Sequence, residues 1–155
     1  MGKLIKEAEL DSLIKELRNE NKKIVFTNGC FDILHVGHVK YLQKSAEFGD
    51  ILIIGLNSDS SVKKLKGENR PINNEIDRAY VLCALEAVDY VVIFEENSPI
   101  DLLNKIKPDI YAKGADYTLQ TLPEAPTVLK NGGKVEFIEF VDGKSTTNII
   151  NSIKN

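Results

Sequence analysis

The only two histidines of the 155-residue chain, His35 and His38, lie three positions apart with Gly37 between them. They close a segment, residues 27–38, that reads Thr-Asn-Gly-Cys-Phe-Asp-Ile-Leu-His-Val-Gly-His. If a helix begins near Gly37, both imidazoles sit where its partial positive charge and free N–H groups suit a phosphate. Imidazoles in that place donate hydrogen bonds to phosphate oxygens and stabilise charge as a bond to pyrophosphate breaks. Asn28-Gly29 follows an apolar stretch, permits a tight turn with positive φ, and lets backbone N–H groups approach an anion. Between turn and histidines stand Cys30, Phe31 and Asp32. Cys30 has no clear base partner, which disfavours a nucleophilic role. Asp32 has three open uses: orienting a histidine, holding Mg²⁺, or capping the turn. A metal cage of Cys30, Asp32, His35 and His38 has suitable residue types, but the spacing matches no closed zinc pattern.

Other polar residues fall where strands should end or helices begin. Lys66, in the basic run 63–66, is either a flexible ammonium that closes over a triphosphate or part of a solvated face, as Lys63 and Lys64 are expected to be. Ser145, Thr146 and Thr147 open the last helix, where hydroxyls cap free N–H groups and can also grip phosphates. Asn57, Asp59, Lys113 and Asp116 follow strand candidates. Arg78 lies early in a helix, with Glu75 and Asp77 as possible ion-pair partners. No G-x-x-x-x-G-K-[S/T] loop and no G-x-G-x-x-G run occurs, which disfavours P-loop kinases and dinucleotide-dependent dehydrogenases.

These residues must be positioned by alternating strands and helices. Apolar residues at helical spacing mark helices over 7–19, 37–48 and 74–88. Pro99 at a first helical position after Ser98 marks another over 99–106, and a short one closes the chain over 146–153. Buried-strand candidates cover 23–27, 51–56, 90–94, 109–112 and 134–140. Five strands separated by helices imply a doubly wound, Rossmann-like α/β sheet of about five parallel strands. Residues 1–21 read as an N-terminal helical segment and 22–155 as the α/β core of one domain. Ligands of such sheets bind at the carboxyl ends of the strands, where the strand order reverses.

Bulk composition agrees. Hydrophobic residues make up 43% and charged residues 28%, a soluble globular balance that can bury a core without staples. A net charge of -3 argues against general nucleic-acid binding, so an anionic substrate must meet a local cluster of cations and N–H groups. Cys30 and Cys83 make no disulfide framework, which favours a reducing cytoplasm. No apolar signal core or membrane-length stretch is evident.

His35-Val36-Gly37-His38, preceded by Asn28-Gly29-Cys30-Phe31-Asp32, resembles the signature of the cytidylyltransferase-like (H-x-G-H) nucleotidyltransferases. The similarity continues through Asn57-Ser58-Asp59, Leu65-Lys66-Gly67, Arg70-Pro71, Arg78, Glu86-Ala87-Val88-Asp89, Lys113-Gly114 and Ser145-Thr146-Thr147-Asn148-Ile149-Ile150. That series is similar to the D-glycero-β-D-manno-heptose 1-phosphate adenylyltransferases. The resemblance implies transfer of AMP from ATP to that sugar phosphate, giving ADP-heptose for lipopolysaccharide and pyrophosphate. It implies Mg²⁺ with the triphosphate, and a homo-oligomer, dimer or higher. It makes His35, His38 and Lys66 catalytic, with Lys66 a mobile phosphate-binding lysine. Nucleotide contacts then fall to Asn28, Gly29, Cys30, Phe31, Asp32, Gly37, Asn57, Asp59, Arg78, Lys113, Gly114, Asp116, Ser145, Thr146 and Thr147, with Arg78 supporting the phosphate site. The family usually shows two glycines where this chain has Gly114-Ala115, and a positive φ there would strain Ala115. The stretch 122–126 also departs from the usual glycine-containing segment. Two other readings stand beside this one: a cytidylyltransferase acting on glycerol 3-phosphate or another small phosphate, and a non-catalytic nucleotide sensor.

Overall fold

The computed structural model describes residues 1–140 and 145–154. The strands are β1 (Lys3–Ile5), β2 (Ile24–Gly29), β3 (Ile51–Asn57), β4 (Tyr90–Phe94), β5 (Ile110–Gly114) and β6 (Lys134–Ile138). The helices are α1 (Glu7–Asn19), α2 (Val36–Ala46), α3 (Asp59–Lys66), α4 (Glu75–Cys83), α5 (Ile100–Ile106), α6 (Ala125–Lys130) and α7 (Thr146–Lys154). The strands form one sheet in the order β1-β4-β3-β2-β5-β6, with every pairing parallel. This is the doubly wound α/β architecture expected, with one strand more.

Alternation along the central strands builds two cores. Ile24, Phe26 and Ile53 pack with Leu10, Leu17, Leu102, Ile106 and Val128, under α1, α5 and α6. Their chain neighbours Val25, Leu52 and Ile54 pack on the other face with Leu42, Ala79 and Leu82, under α2 and α4. A strand covered on both faces reads as a continuous apolar run, and so β2 and β3 do. Aspartates fix the amino ends of the strands. Asp50 accepts from Lys23 N–H, Asp89 from Leu52 N–H and Asp109 from Ile24 N–H, each at 2.7–2.8 Å.

The chain winds outward from β2 through β3 to β4, then crosses back to place β5 on the other side of β2. The strand order therefore reverses between β2 and β5, and their carboxyl ends open the crevice that such sheets use for ligands.

Five elements differ from the sequence expectation. The first strand, β1, pairs with β4 ahead of α1; three residues are too short to show a period. Helices α3 and α6 form where the sequence pattern marks no element. Helix α4 stops at Cys83 instead of running to residue 88. Ser98 does supply a cap bond, accepting from Ile100 N–H at 3.3 Å, but the helix begins one residue later than expected.

Candidate active site

Strand β2 ends at Gly29, and the chain turns sharply before α2. Phe31 takes a left-handed φ of 46°, an uncommon and strained conformation for an aromatic residue. Its ring covers Gly29, where an added Cβ would stand 2.9 Å from Phe31 Cε2. The same ring tilts against His38 at 5.6 Å between centroids. The strained turn thus fixes one histidine from the side.

The two histidines fix each other at the start of α2. His35 is the N-cap residue, and its Nδ1 accepts from Gly37 N–H at 3.0 Å. His38, one turn on, accepts from His35 N–H through its own Nδ1 at 3.3 Å. The reciprocal pattern is that of a capping box, with imidazoles in place of hydroxyl and carboxylate. An accepting Nδ1 carries no proton, so these bonds assign the ring proton of each neutral imidazole to Nε2. Both rings then offer an Nε2–H donor, with centroids 4.1 Å apart. Burial, then the neighbouring His35, pushes His38 down to about 4. His38 is therefore a neutral donor near pH 7.

Both rings line a cavity of about 690 Å³ over the carboxyl ends of β2 and β5, within the usual range for a small-molecule site. Asn28 and Gly29 stand at its floor with Lys113 and Gly114. Tyr111 O–H donates a short hydrogen bond to Asn28 Oδ1, which leaves the Asn28 amide NH₂ for a ligand. Burial, then the charge of Glu124, raises the Tyr111 hydroxyl far above its ordinary range, so it stays a donor. Tyr41, whose hydroxyl donates to Ala112 O and meets Thr27 Oγ1, is likewise pushed up to about 12 by burial against the opposing effect of the Thr27 bond. Gly114 lets Phe140 close in, because a Cβ there would meet the ring at 2.3 Å. Ala115 has no positive φ, so the residue that departs from the family pattern carries no strain.

Lys66, Asp116, Ser145, Thr146 and Thr147 reach the same cavity, as do Cys30, Phe31, Asp32, Gly37 and Asn57. Lys66 is exposed at the last residue of α3, before Gly67 with φ 103°, and not on a free loop. Ser145 Oγ caps α7 by accepting from Asn148 N–H at 3.0 Å, and Thr146 Oγ1 donates to Ile33 O at 2.8 Å. The start of α7 is thereby tied to the loop before α2. Lys113 lies 5.8 Å from the ring centroids of Tyr111 and Tyr117. Burial lowers its ammonium against the raising effects of Glu124, Asp116 and Cys30. Desolvation also raises the Cys30 thiol, although Lys66, Arg78 and Arg70 pull it down; a thiol so disposed is a poor nucleophile.

Two residues expected at the nucleotide lie outside the cavity lining. Arg78 is only 1% exposed and is spent on protein acceptors. Its Nη1 donates to Cys30 O and Asn57 O at 2.8 Å, Nε to Asn73 O at 2.9 Å, and Nη2 to Asp59 Oδ1 at 2.8 Å. It ties the ends of β2 and β3 to the starts of α3 and α4. Asp59 is its partner, with its own N–H held by Glu75 Oε1 at 2.9 Å. The sequence could not reveal this, because a buried and an exposed arginine look alike at a helix start.

Asp32 has a comparable structural task. Oδ2 accepts from Arg70 Nε and Ile72 N–H, at 3.0 and 2.8 Å, and Oδ1 from Asn73 N–H at 2.9 Å. Burial alone would raise its carboxyl, but the two backbone bonds and Arg70 outweigh it and hold it below the ordinary range. Three donors thus engage both oxygens of Asp32, and no histidine is among them. Among the described residues no group of three or more His, Cys, Asp or Glu side chains gathers as a metal site. Arg70, Tyr41, Tyr117, Glu139 and Phe140 also line the cavity; Arg70 stands in the family-like series without an assigned role, and the other four have no spacing that marks them from sequence.

The cytidylyltransferase-like family model matches residues 26–151. The chain belongs to the cytidylyltransferase-like family. Members are nucleotidyltransferases, which take a nucleoside triphosphate as substrate. The bifunctional protein HldE of Aliarcobacter butzleri is 57% identical over 148 residues, covering 94% of this chain and 30% of that protein. HldE of Geobacter metallireducens is 54% identical over 144 residues, covering 93% of this chain and 29% of its own. The chain thus spans about 30% of the length of these relatives. A lipopolysaccharide core biosynthesis protein from Thermoplasma volcanium superposes with a TM-score of 0.64 at 28% identity, covering 79% of this chain and 99% of that one. Pantothenate synthetase from Thermus thermophilus, at 16% identity and a TM-score of 0.61, shares the fold. No helix among the described residues is long and apolar enough to cross a membrane.

Proposed function

We propose that this domain transfers AMP from ATP to D-glycero-β-D-manno-heptose 1-phosphate, releasing pyrophosphate and forming ADP-heptose for the lipopolysaccharide core. The observation that carries the reading is the pair of mutually capped imidazoles, both Nε2–H donors, in a cavity that Lys66 and the start of α7 also reach. A phosphate oxygen of the sugar phosphate attacks the α-phosphorus of ATP, and the bond to the bridging oxygen of pyrophosphate breaks. A phosphate monoester is largely ionised near pH 7, so the attack needs no general base. The work left to the protein is to align two anions and stabilise the extra charge on the leaving group.

His35 and His38 serve the phosphates as neutral donors, Lys66 covers the triphosphate from the end of α3, and Ser145, Thr146 and Thr147 hold its far end. Gly37 and the turn 28–32 let the nucleotide approach the backbone. Asn57, Lys113, Gly114 and Asp116 complete the nucleotide and acceptor walls, while Arg78 and Asp59 act from behind the wall by fixing it. Mg²⁺ would enter on the triphosphate, neutralising its charge, since the described side chains present no protein-held cation cage. A cytoplasmic homo-oligomer belongs to the same reading, and sedimentation checks the assembly.

The test is pyrophosphate release with each of ATP, CTP, GTP and UTP in combination with heptose 1-phosphate, glycerol 3-phosphate and other small phosphates. ATP with the heptose 1-phosphate should be turned over fastest. Preference for CTP with glycerol 3-phosphate would replace the substrates and keep the reaction, whereas ATP binding without release from any acceptor would favour a sensor.

A further inference from the structure

The chain has three arginines, and two of them spend both Nη groups on protein acceptors. Arg18 bonds Asp109 and the carbonyls of Lys107 and Lys22, and Arg78 makes the four bonds described above. Arg70 differs. It lines the cavity, its side chain is 14% exposed, and the carboxylate that pairs with it is fully buried. Asp32 engages only its Nε. The other two acceptor sites of that carboxylate in use are taken by Ile72 and Asn73 N–H. Among the described residues the Nη1 and Nη2 groups of Arg70 have no hydrogen-bond partner.

A guanidinium is a rigid fork of five donors. Its four Nη N–H bonds are not closed off from solvent, so a ligand that enters the cavity can accept from them. A phosphate suits them, since two of its oxygens accept from a fork in parallel. Lys66 stands four residues earlier and reaches the same cavity, so it brings a second cation there, and the one carboxylate paired with Arg70 is committed to its Nε edge.

The geometry points to Arg70 as a phosphate-binding residue of this cavity, gripping a substrate phosphate through its Nη fork, with Asp32 as the positioning residue that aims it. The inference rests on the proposed nucleotidyl transfer for the identity of the phosphate, which is either part of the triphosphate or the acceptor's monophosphate. It gives Asp32 a role in catalysis that needs no contact with substrate or metal.

Calorimetric titration separates these sources without turnover. Inorganic pyrophosphate, ATP and heptose 1-phosphate are titrated into the wild type, Arg70→Lys and Asp32→Asn, with melting temperatures measured on each. Arg70→Lys keeps the charge and loses the fork, so affinity for one class, pyrophosphate and ATP together or the sugar phosphate alone, should fall about 10- to 100-fold. The other class should hold within about threefold. Asp32→Asn should weaken the same class, and added guanidinium ion should restore part of the turnover of Arg70→Ala. Wild-type affinity of Arg70→Lys for all three ligands would overturn the assignment, as would a uniform loss that tracks a lower melting temperature. A selective loss in a protein that releases no pyrophosphate from any acceptor would keep Arg70 and refute the transfer reaction instead.

Discussion

His38 carries two separable duties on its two ring nitrogens. Nδ1 accepts the His35 N–H, which helps to start α2, and Nε2–H is left for phosphate. Asparagine places an acceptor near Nδ1 but nothing near Nε2, while glutamine places an amide donor near Nε2. His38→Asn should therefore keep most of the stability, with a cap-bond change of about 1 kcal/mol or less, yet lower kcat by about 10²-fold or more. His38→Gln should recover part of that turnover. Equal turnover in both variants, measured as pyrophosphate release, would mean that Nε2 does not act. Because His38 is pushed down to about 4 by burial and by His35, kcat should show no step from its ionisation between pH 6 and 8. The spacing of the histidines was readable from the sequence because residue type and separation alone specify two donors on one helical turn. The task of Asp32 was not, because its partners Ile72 and Asn73 are backbone groups forty residues away, and no spacing rule reports a backbone donor.

Between elements the decisive object is the guanidinium of Arg78, where the carboxyl ends of β2 and β3 meet the starts of α3 and α4. Three of its acceptors are carbonyls, those of Cys30 and Asn73 in loops and that of Asn57 at the last residue of β3. Arg78→Met would fill the volume but leave those carbonyls and Asp59 without their donor in a buried place. That loss should destabilise by about 3 kcal/mol or more, or roughly 6–12 °C in melting temperature for a chain of this size. Activity at a temperature where the variant is folded should also fall, since Cys30 and Asn57 belong to the cavity wall. A melting temperature within about 2 °C of wild type would show that the network does not hold the elements together. By contrast Lys66→Ala removes an exposed group at the end of α3, so turnover should drop with little change in melting. The strands and main helices were legible because burial on two faces writes continuous apolar runs such as 51–56. The three-residue β1 and the polar α3 were not: one is defined by its pairing with β4, the other by the Ser58 cap.

At the scale of the whole molecule, acid should act in two stages. Asp109 sits where α1, β2 and β5 join, accepting from Ile24 N–H and pairing with Arg18 at 2.6 Å. Burial would raise its carboxyl, but those bonds hold it below the ordinary carboxylate range, as they do for Asp32 beside the cavity. For both, the unfolded chain takes up protons before the folded one does, so their stabilisation is present above the unfolded value and is lost as pH falls through the lower folded value. His38 is also depressed in the folded state, and the sign is the same: the unfolded imidazole charges near pH 6.5 while the folded one resists to about 4. Stability should thus begin to decline below pH 6.5, where the unfolded His38 charges, and fall further below about pH 4 as the aspartates protonate. Melting temperature measured from pH 8 to pH 2.5 resolves the stages. In His38→Asn the decline between 6.5 and 4 should flatten while the lower stage persists. In Asp109→Asn the upper stage should persist, with a lower plateau from the lost ion pair and a shallower fall below pH 4. A wild-type curve flat down to pH 4 would show that His38 is solvated and protonates freely, and with it would go the neutral-donor role on which the phosphate chemistry rests.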